Sequence, residues 1–277
     1  MTGRPAELPD FTAPPVTEVA VGVQFNSLDA FLAPHLGGVW DLFRDEFGAV
    51  EEHFPLPPTF ETFGQNPQLV PPVSFQFLAS AGLPRTFFVN RDRTRLIQVQ
   101  RDRFVHNWRK VVSDDDYPRF EGIRDTFRNG LKKFADYLGH AGIGSIEPTQ
   151  CEVSYINQVV VPDGTPSFEV SDRIFGGLIS RSVLPGLGRP EDGRFHLRYV
   201  IRGSEAEPLG RLVISCEPAW RADGCQIIQF VLTARGAPTT PDLDAVIEFI
   251  TRGRESIVHG FKALTSDQMH DQWGLIR

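Results

Sequence analysis

Two long amphipathic helical patterns, each preceded by strand-like segments, constrain the fold of this chain more than any other feature of its sequence. The apolar residues of the first pattern recur at spacings of three and four: Phe120, Ile123, Phe127, Leu131, Phe134 and Leu138. Pro241 opens the second helix, which has a similar apolar face: Leu243, Val246, Ile247, Ile250, Ile257, Phe261 and Leu264. Each helix buries one face, so each needs a sheet or another helix to cover it.

The segments before the first long helix predict one strand, one helix and a meander. Residues 16–25 alternate with the period of two that is typical of a half-buried strand. A helix is predicted over 29–47, with Asp29 as its N-cap. Further strands, joined by short polar turns that favour antiparallel pairing, are predicted over 74–78, 86–90, 95–100 and 103–111.

The second half of the chain repeats this order of elements. A strand is predicted over 151–161 and a short helix over 171–180, and three strands follow over 194–201, 211–217 and 226–234. At one constant offset, Glu18-Val19 and Gln24-Phe25 match Glu152-Val153 and Gln158-Val159. We therefore predict an α+β protein with two similar halves, each consisting of a strand, a helix, an antiparallel meander and a long helix, and we interpret the halves as an internal duplication.

The predicted boundary between the halves lies within 141–149, which is rich in glycine, serine and proline. The first half is then 1–146 and the second is 147–277. The first half contains a proline-rich stretch, 51–72, for which we predict an ordered extended loop because proline interrupts helices. The sequence leaves open whether the two predicted sheets join edge to edge.

The composition disfavours several classes of protein. A hydrophobic content of 41% with 23% charged residues indicates a folded chain rather than a disordered one. No apolar run approaches the roughly 20 residues of a membrane-spanning helix, and residues 1–15 have no apolar signal core. Three unpatterned cysteines fit a reducing compartment. We therefore expect a cytoplasmic protein with no membrane partner.

No sequence pattern indicates catalysis or a cofactor. The seven histidines are scattered without a metal-binding pair, and the three cysteines lie in or beside predicted strands. The nucleophile elbow G-x-S-x-G and the glycine-rich phosphate-binding loops do not occur. We therefore predict no metal, no cofactor and no catalytic residue, which favours a non-enzymatic protein.

The segment 85–110 is basic although the chain has a net charge of −7. Basic residues interleaved with aromatic residues can hold single-stranded nucleic acid by phosphate contact and base stacking. Strand alternation over 103–109, however, places aromatic residues and arginines on opposite faces, which disfavours nucleic acid as the partner. The predicted partner-binding residues in this segment are Arg91, Arg93, Arg95, Arg101 and Arg103.

Arg91, Arg93 and Arg95 are predicted to project from one side of a hairpin, because alternate strand residues share a face. Three like charges repel one another, so an anionic group should compensate them. With 35 acidic residues in the chain, internal compensation is the simpler explanation, and an anionic partner is the alternative.

A second set of residues predicts a pocket. Ala20 and Gly22 are small and could leave space beneath a helix, while Trp108 and Arg109 stand at the end of a predicted strand. The chain has 22 phenylalanines and four tyrosines, which would suit an apolar pocket between sheet and helix. A well-packed core is the alternative interpretation of the same residues.

Three blocks of the sequence resemble an uncharacterised, sporadically distributed bacterial protein family. The blocks are Pro14-Pro15-Val16-Thr17-Glu18-Val19, Gln98-Val99-Gln100-Arg101-Asp102-Arg103-Phe104 with Asn107-Trp108-Arg109-Lys110, and His270-Asp271-Gln272-Trp273-Gly274. The resemblance implies no established activity, cofactor or active site. Sporadic distribution implies an accessory role, as in bacterial defence or toxin–antitoxin systems.

These observations favour a non-enzymatic cytoplasmic protein that binds another protein through a sheet or a groove. The alternative is a small-ligand-binding protein, or an enzyme, with an apolar pocket between sheet and helix.

Overall fold

A computed structural model describes residues 8–64, 83–112, 115–177 and 184–276, and nine strands and five helices lie within these ranges. In chain order they are β1 (Val16–Phe25), α1 (Ala33–Phe43), β2 (Ala49–His53), β3 (Arg85–Val89), β4 (Arg95–Gln100), β5 (Arg103–Arg109), α2 (Arg119–His140), β6 (Pro148–Val160), α3 (Ser167–Ile174), β7 (Phe195–Arg202), β8 (Pro208–Trp220), β9 (Gln226–Gly236), α4 (Leu243–Leu264) and α5 (Asp267–Trp273).

The nine strands form one antiparallel sheet in the order β2-β3-β4-β5-β1-β6-β9-β8-β7. The first strand of each predicted half, β1 and β6, lies at the centre of the sheet, and the two pair with each other. The strands of 1–146 therefore lie on one side of this central pair and those of 147–277 on the other. The protein is α+β, and the nine strands of the described residues are joined in one continuous sheet.

Strand alternation gives this sheet two different faces. Val19, Val21 and Val23 of β1 are fully buried on the face that packs against the helices. On the same face, the ring of Phe104 stacks on that of Phe134 of α2, with centroids 5.5 Å apart. The opposite face, which we call the polar face, carries Ala20, Gly22 and Gln24 of β1 and the residues aligned with them on the other strands. No helix in the described ranges covers the polar face.

The structure corrects several boundaries in the first half of the chain. Helix α1 begins after Leu32 rather than at Asp29, because residues 28–31 form a turn that buries Phe31 completely. The predicted loop 51–72 begins inside β2, which pairs with β3 although its sequence does not alternate. Residues 54–64 follow without regular secondary structure, and the rest of that loop, with the predicted strand 74–78, lies outside the described residues.

The second half differs from the prediction in its short helices. Helix α3 spans Ser167–Ile174 rather than 171–180, and its end is followed by Gly176 and Gly177, both with positive φ. The long helix α4 is capped by the Asp242 side chain, which accepts a hydrogen bond from the Ala245 N–H. Helix α5 was not predicted, because its seven residues are too few to give a clear periodicity.

Candidate functional site on the polar face

Residues 54–64, which we call the covering segment, run across the polar face rather than along a strand. Three of its backbone N–H groups donate to side-chain oxygens of glutamines on β4, β1 and β6: Leu56 to Gln100 at 2.9 Å, Thr59 to Gln24 at 2.8 Å and Glu61 to Gln150 at 3.2 Å. An amide oxygen accepts a backbone donor without bringing in a charge. The polar face therefore binds an extended stretch of polypeptide through its backbone.

The carboxylate of Glu61 anchors the end of the covering segment. Its side chain is only 7% exposed and lies 2.8 Å from Arg211, 3.6 Å from Arg198 and 3.7 Å from Arg235. Arg211 also donates to the carbonyl oxygen of Thr62 at 2.6 Å. An acidic side chain held among three guanidinium groups fixes the segment over β7, β8 and β9.

A cavity of about 370 Å³ lies between the covering segment and the sheet. Ala20 and Gly22 line it from the sheet, and Leu56 and Pro57 line it from the covering segment. Charged side chains complete its walls: Arg85, Arg103, Glu152 and Arg235. The cavity therefore has an apolar floor, an apolar roof and charged side walls.

This position corrects the expectation that Ala20 and Gly22 leave space beneath a helix. The valines between them, Val19, Val21 and Val23, occupy the helix-covered face, so alternation directs Ala20 and Gly22 to the polar face. Their surroundings are the covering segment and charged side chains instead of phenylalanine rings.

The charged groups of the cavity are unequally paired. Arg235 donates to Glu152 from Nε at 2.7 Å, so this carboxylate has its own cation. Arg103 donates to Gln24 Oε1 at 2.8 Å and to the Pro57 carbonyl oxygen at 3.1 Å. Burial, together with the nearby charge of Arg103, lowers the pKa of Arg85. The cavity thus holds more positive than negative side-chain charge.

A second depression, which we call the trough, lies beside the cavity on the polar face, toward the N-terminal end of β1. It encloses about 960 Å³ and is lined by Glu18 and Arg109 on one side and by the turn containing Arg221 and Asp223 on the other. Burial raises the pKa of Glu18, although a hydrogen bond from Asn107 opposes this shift. No part of the described chain covers the trough as residues 54–64 cover the cavity.

Strand register relates the cavity and the trough. Ala20 pairs with Ser154 at the centre of β1 and β6, and the pairs on either side are Glu18 with Ile156 and Gly22 with Glu152. The offset that relates Glu18 to Glu152 in the sequence therefore also relates these two pairs. On the neighbouring strands, Glu18 lies opposite Arg109 and Glu152 lies opposite Arg235.

The residues that line the two depressions correspond in the same way. Cavity residues and their trough counterparts are Gly22 and Ile156, Gln24 and Gln158, Val105 and Val231, and Arg103 and Gln229. The trough is therefore the counterpart of the covered cavity, with a larger side chain at Ile156 and an amide where the cavity has Arg103.

The predicted partner-binding arginines occupy different surroundings. Arg91 and Arg93 lie in the turn between β3 and β4, so strand alternation does not place them on one side of a hairpin with Arg95. Arg93 has a φ of 59° and pairs with Glu51. Arg95 lies 3.6 Å from Glu46. Acidic residues of the chain therefore accompany Arg93 and Arg95.

Two more predicted arginines lie closer to the covering segment. Arg101 donates to the Phe31 carbonyl oxygen at 3.0 Å and so supports the turn before α1. Arg103 lines the cavity. Of the other pocket candidates, Arg109 lines the trough, whereas Trp108 is 3% exposed on the helix-covered face with its ring 5.1 Å from that of Tyr117.

Several residues of this site were absent from the sequence prediction. They are Gln24, Gln100, Gln150, Glu61 and Arg85. The sequence contains a signal for Gln24, because its alternation with Ala20 and Gly22 places all three on one face of the strand. It contains another for Glu61, which is the only acidic residue in the proline-rich segment 54–64.

Comparison with known proteins gives no match to a family model, a curated protein or a solved structure. Within the described ranges, no three His, Cys, Asp or Glu side chains are grouped as metal ligands. None of the helices described above is both long and apolar enough to cross a bilayer. The polar face therefore provides the basis for proposing a function.

Proposed function

We propose that this chain is a non-enzymatic, cytoplasmic binding protein that holds an extended segment of a partner protein in the trough. The observation that carries the proposal is that the covering segment already crosses the same face beside the trough. Its backbone is held there by glutamine side chains and its one carboxylate by arginines. A face that binds one extended segment in this way has the chemistry to bind another.

An internal duplication would explain why the same face carries two such sites. The shared offset in the β1–β6 register supports duplication, as does the similar order of elements in the two halves. Gln158 is the trough counterpart of Gln24, whose oxygen accepts the Thr59 N–H. We therefore expect Gln158 to accept a backbone N–H of the partner.

The lining of the trough suggests the chemistry of the partner segment. Its floor includes the apolar side chains of Ile156 and Val231, and hydrogen-bonding side chains stand beside them: Ser154, Gln158 and Gln229. The charged residues of both signs at its borders favour no strong net charge. An extended segment with alternating apolar and polar residues would fit this surface.

Nucleic acid is a weaker candidate for the partner. Phe104 and Trp108, which the basic segment offered for base stacking, are buried beneath helices. The resemblance to a sporadically distributed bacterial family supports an accessory setting, such as a defence or toxin–antitoxin system, as a further part of the proposal.

Selection from a displayed library of random peptides, as long as the covering segment, would test this proposal. Peptides selected on the wild-type protein should bind the Gln158→Ala variant at least about tenfold more weakly, because the loss includes a buried backbone hydrogen bond at the centre of a small interface. The measurement is fluorescence polarisation with the labelled peptide.

Gln24→Ala is the matched control, because Gln24 is the counterpart of Gln158 and lies beneath the covering segment. It should leave peptide affinity within about twofold of the wild-type value. The proposal would be rejected if no peptide were selected, or if both substitutions changed the affinity equally.

A small-ligand-binding protein is the second candidate function, and the cavity beneath the covering segment favours it. Its volume is in the range of about 300–1,000 Å³ that is usual for ligand pockets. Its charged walls differ from the apolar pocket expected from the sequence, and they define the kind of ligand.

A further inference from the structure

We propose that the cavity beneath the covering segment binds a small organic anion, a carboxylate or a phosphate ester, whose charged group contacts Arg85 and Arg103. Arg85 and Arg103 line the cavity and not the trough, although Ala20 and Glu152 border both, and the inference concerns a small ligand rather than a partner polypeptide. It rests on the unused donor of Arg85, on the balance of charge in the cavity and on the shape of the space.

Arg85 has unused hydrogen-bonding capacity. Its Nε is buried and has no hydrogen-bond partner among the described residues. One Nη atom donates weakly to Gln98 Oε1 at 3.4 Å, and the guanidinium lies 4.9 Å from the centroid of the Phe87 ring. A buried donor without an acceptor is costly, so a turn of the guanidinium toward a bound oxygen on the cavity wall would be favoured.

No described carboxylate forms an ion pair with Arg85 or Arg103 within 4.0 Å. Asp102 interacts with Arg103 electrostatically and also accepts a hydrogen bond from Gln100 at 2.7 Å. Residues 65–82, which precede Arg85 in the sequence, include no acidic residue. The chain therefore offers few anions to these two arginines.

The other polar groups of the wall are committed to one another. Gln98 donates to Asn107 Oδ1 at 2.8 Å, and Glu152 is bonded by Arg235. Gln24 accepts from both Thr59 and Arg103. An incoming anion would therefore meet arginine N–H groups that remain available, and their planar geometry suits carboxylate and phosphate oxygens.

The space around these arginines suits a ligand with a compact apolar body. The volume of about 370 Å³ is well above that of a bare inorganic ion. Ala20, Val105 and Leu56 supply apolar surface within it. A small aromatic or aliphatic acid would place its charge at Arg85 and its body between the sheet and the covering segment.

Isothermal titration calorimetry on the full chain would test the site with four probes of similar size. Benzoate and phenyl phosphate carry the proposed charge, and benzyl alcohol and benzylamine are the neutral and cationic controls. We expect at least one anion to bind, with an affinity at least about tenfold above that of either control. Binding by benzoate alone or phenyl phosphate alone would identify the carboxylate or the phosphate as the preferred group.

Arg85→Gln should lower the affinity for the bound anion at least about tenfold, because it removes the charged N–H groups. Arg44→Gln is the control: this arginine is exposed directly after α1 and does not line the cavity, so its loss should leave the affinity unchanged. Arg85→Lys keeps the charge without the planar fork and should give an intermediate affinity.

The inference would be overturned if no anion bound better than benzyl alcohol at millimolar concentration. Equal affinity of wild type and a folded Arg85→Gln variant would also overturn it. If Arg85→Gln did not fold, an affinity of Arg85→Lys equal to that of the wild type would overturn the inference. The peptide selection tests the trough through Gln158, and the anion titration tests the cavity through Arg85. Failure of one proposal therefore does not imply failure of the other.

Discussion

At the scale of single residues, glutamine side chains organise the polar face without burying additional charge. Gln24 accepts hydrogen bonds from the Thr59 N–H and from Arg103, and its amide nitrogen lies 3.4 Å from Thr149 Oγ1. A glutamine amide offers both donors and acceptors, so it can connect a strand to a crossing backbone. Charge enters this network where a carboxylate and guanidinium groups meet, as they do at Glu61.

On the helix-covered face, His106 is a polar residue in an apolar setting. Its ring is 2% exposed and packs edge-on against Phe47, with centroids 6.5 Å apart. Burial, assisted by the charge of Arg95, lowers the pKa of His106 to about 3 from the ordinary value of 6.5. The native state therefore keeps this ring neutral at pH values where the unfolded chain protonates it.

We predict that His106→Leu makes the free energy of unfolding less dependent on pH. Between pH 6.5 and about 3 the unfolded chain binds the extra proton, so His106 reduces stability as the pH falls through this window. From pH 7 to pH 5, wild type should lose about 2 kcal/mol more than the variant. Urea unfolding at the two pH values measures the difference, and equal losses in both proteins would contradict the assignment.

At the scale of elements, the covering segment combines stiffness with a few well-placed donors. Pro55, Pro57 and Pro58 restrict the backbone and have no N–H to satisfy. Leu56 and Thr59, each of which directly follows a proline, donate their N–H groups to glutamine oxygens. With the N–H of Glu61, three backbone donors of the segment therefore reach acceptors on the sheet, although the segment has no regular secondary structure.

We predict that Glu61→Ala loosens the covering segment and lowers stability by about 1–3 kcal/mol, because it leaves the partly buried Arg211 without its carboxylate. Chymotrypsin should cleave after Phe60 faster than in wild type, as followed by mass spectrometry. Glu52→Ala is the control, because Glu52 is exposed on β2. Unchanged cleavage and unchanged stability in Glu61→Ala would show that the anchor does not hold the segment.

Periodic elements could be predicted from the sequence, while contacts between distant segments could not. The apolar stripe of α2 that includes Phe127 and Phe134 is visible in the sequence, because residues spaced by three and four lie on one face of a helix. The contact of Arg211 with Thr62 depends on the path of the whole chain, so no local pattern announces it. The same limit explains the error about Ala20 and Gly22: their shared face was predictable, but the neighbour across it was not.

At the scale of the whole molecule, the two predicted halves are joined by more than the β1–β6 pair. Tyr117 and Tyr155 meet with their hydroxyl oxygens 3.0 Å apart, and Arg128 of α2 lies 2.6 Å from Asp244 of α4. The ring of Phe11, from the start of the chain, packs 5.2 Å from that of Phe261 near its end. The Phe11–Phe261 and Tyr117–Tyr155 contacts link buried surface of both halves, so opening one half would expose the other.

We therefore predict that the chain unfolds in one cooperative transition rather than as separate domains 1–146 and 147–277. Two tryptophans report on the two halves, because Trp108 and Trp273 are each at most 5% exposed. One variant would keep only Trp108 and the other only Trp273, with phenylalanine at the remaining tryptophan positions. Their fluorescence should change at the same urea concentration, together with the far-ultraviolet circular dichroism.

The circular dichroism midpoints of the two variants control for any effect of the substitutions on stability. Separate midpoints for the two tryptophans, in variants of equal overall stability, would show that the halves fold independently despite their common sheet.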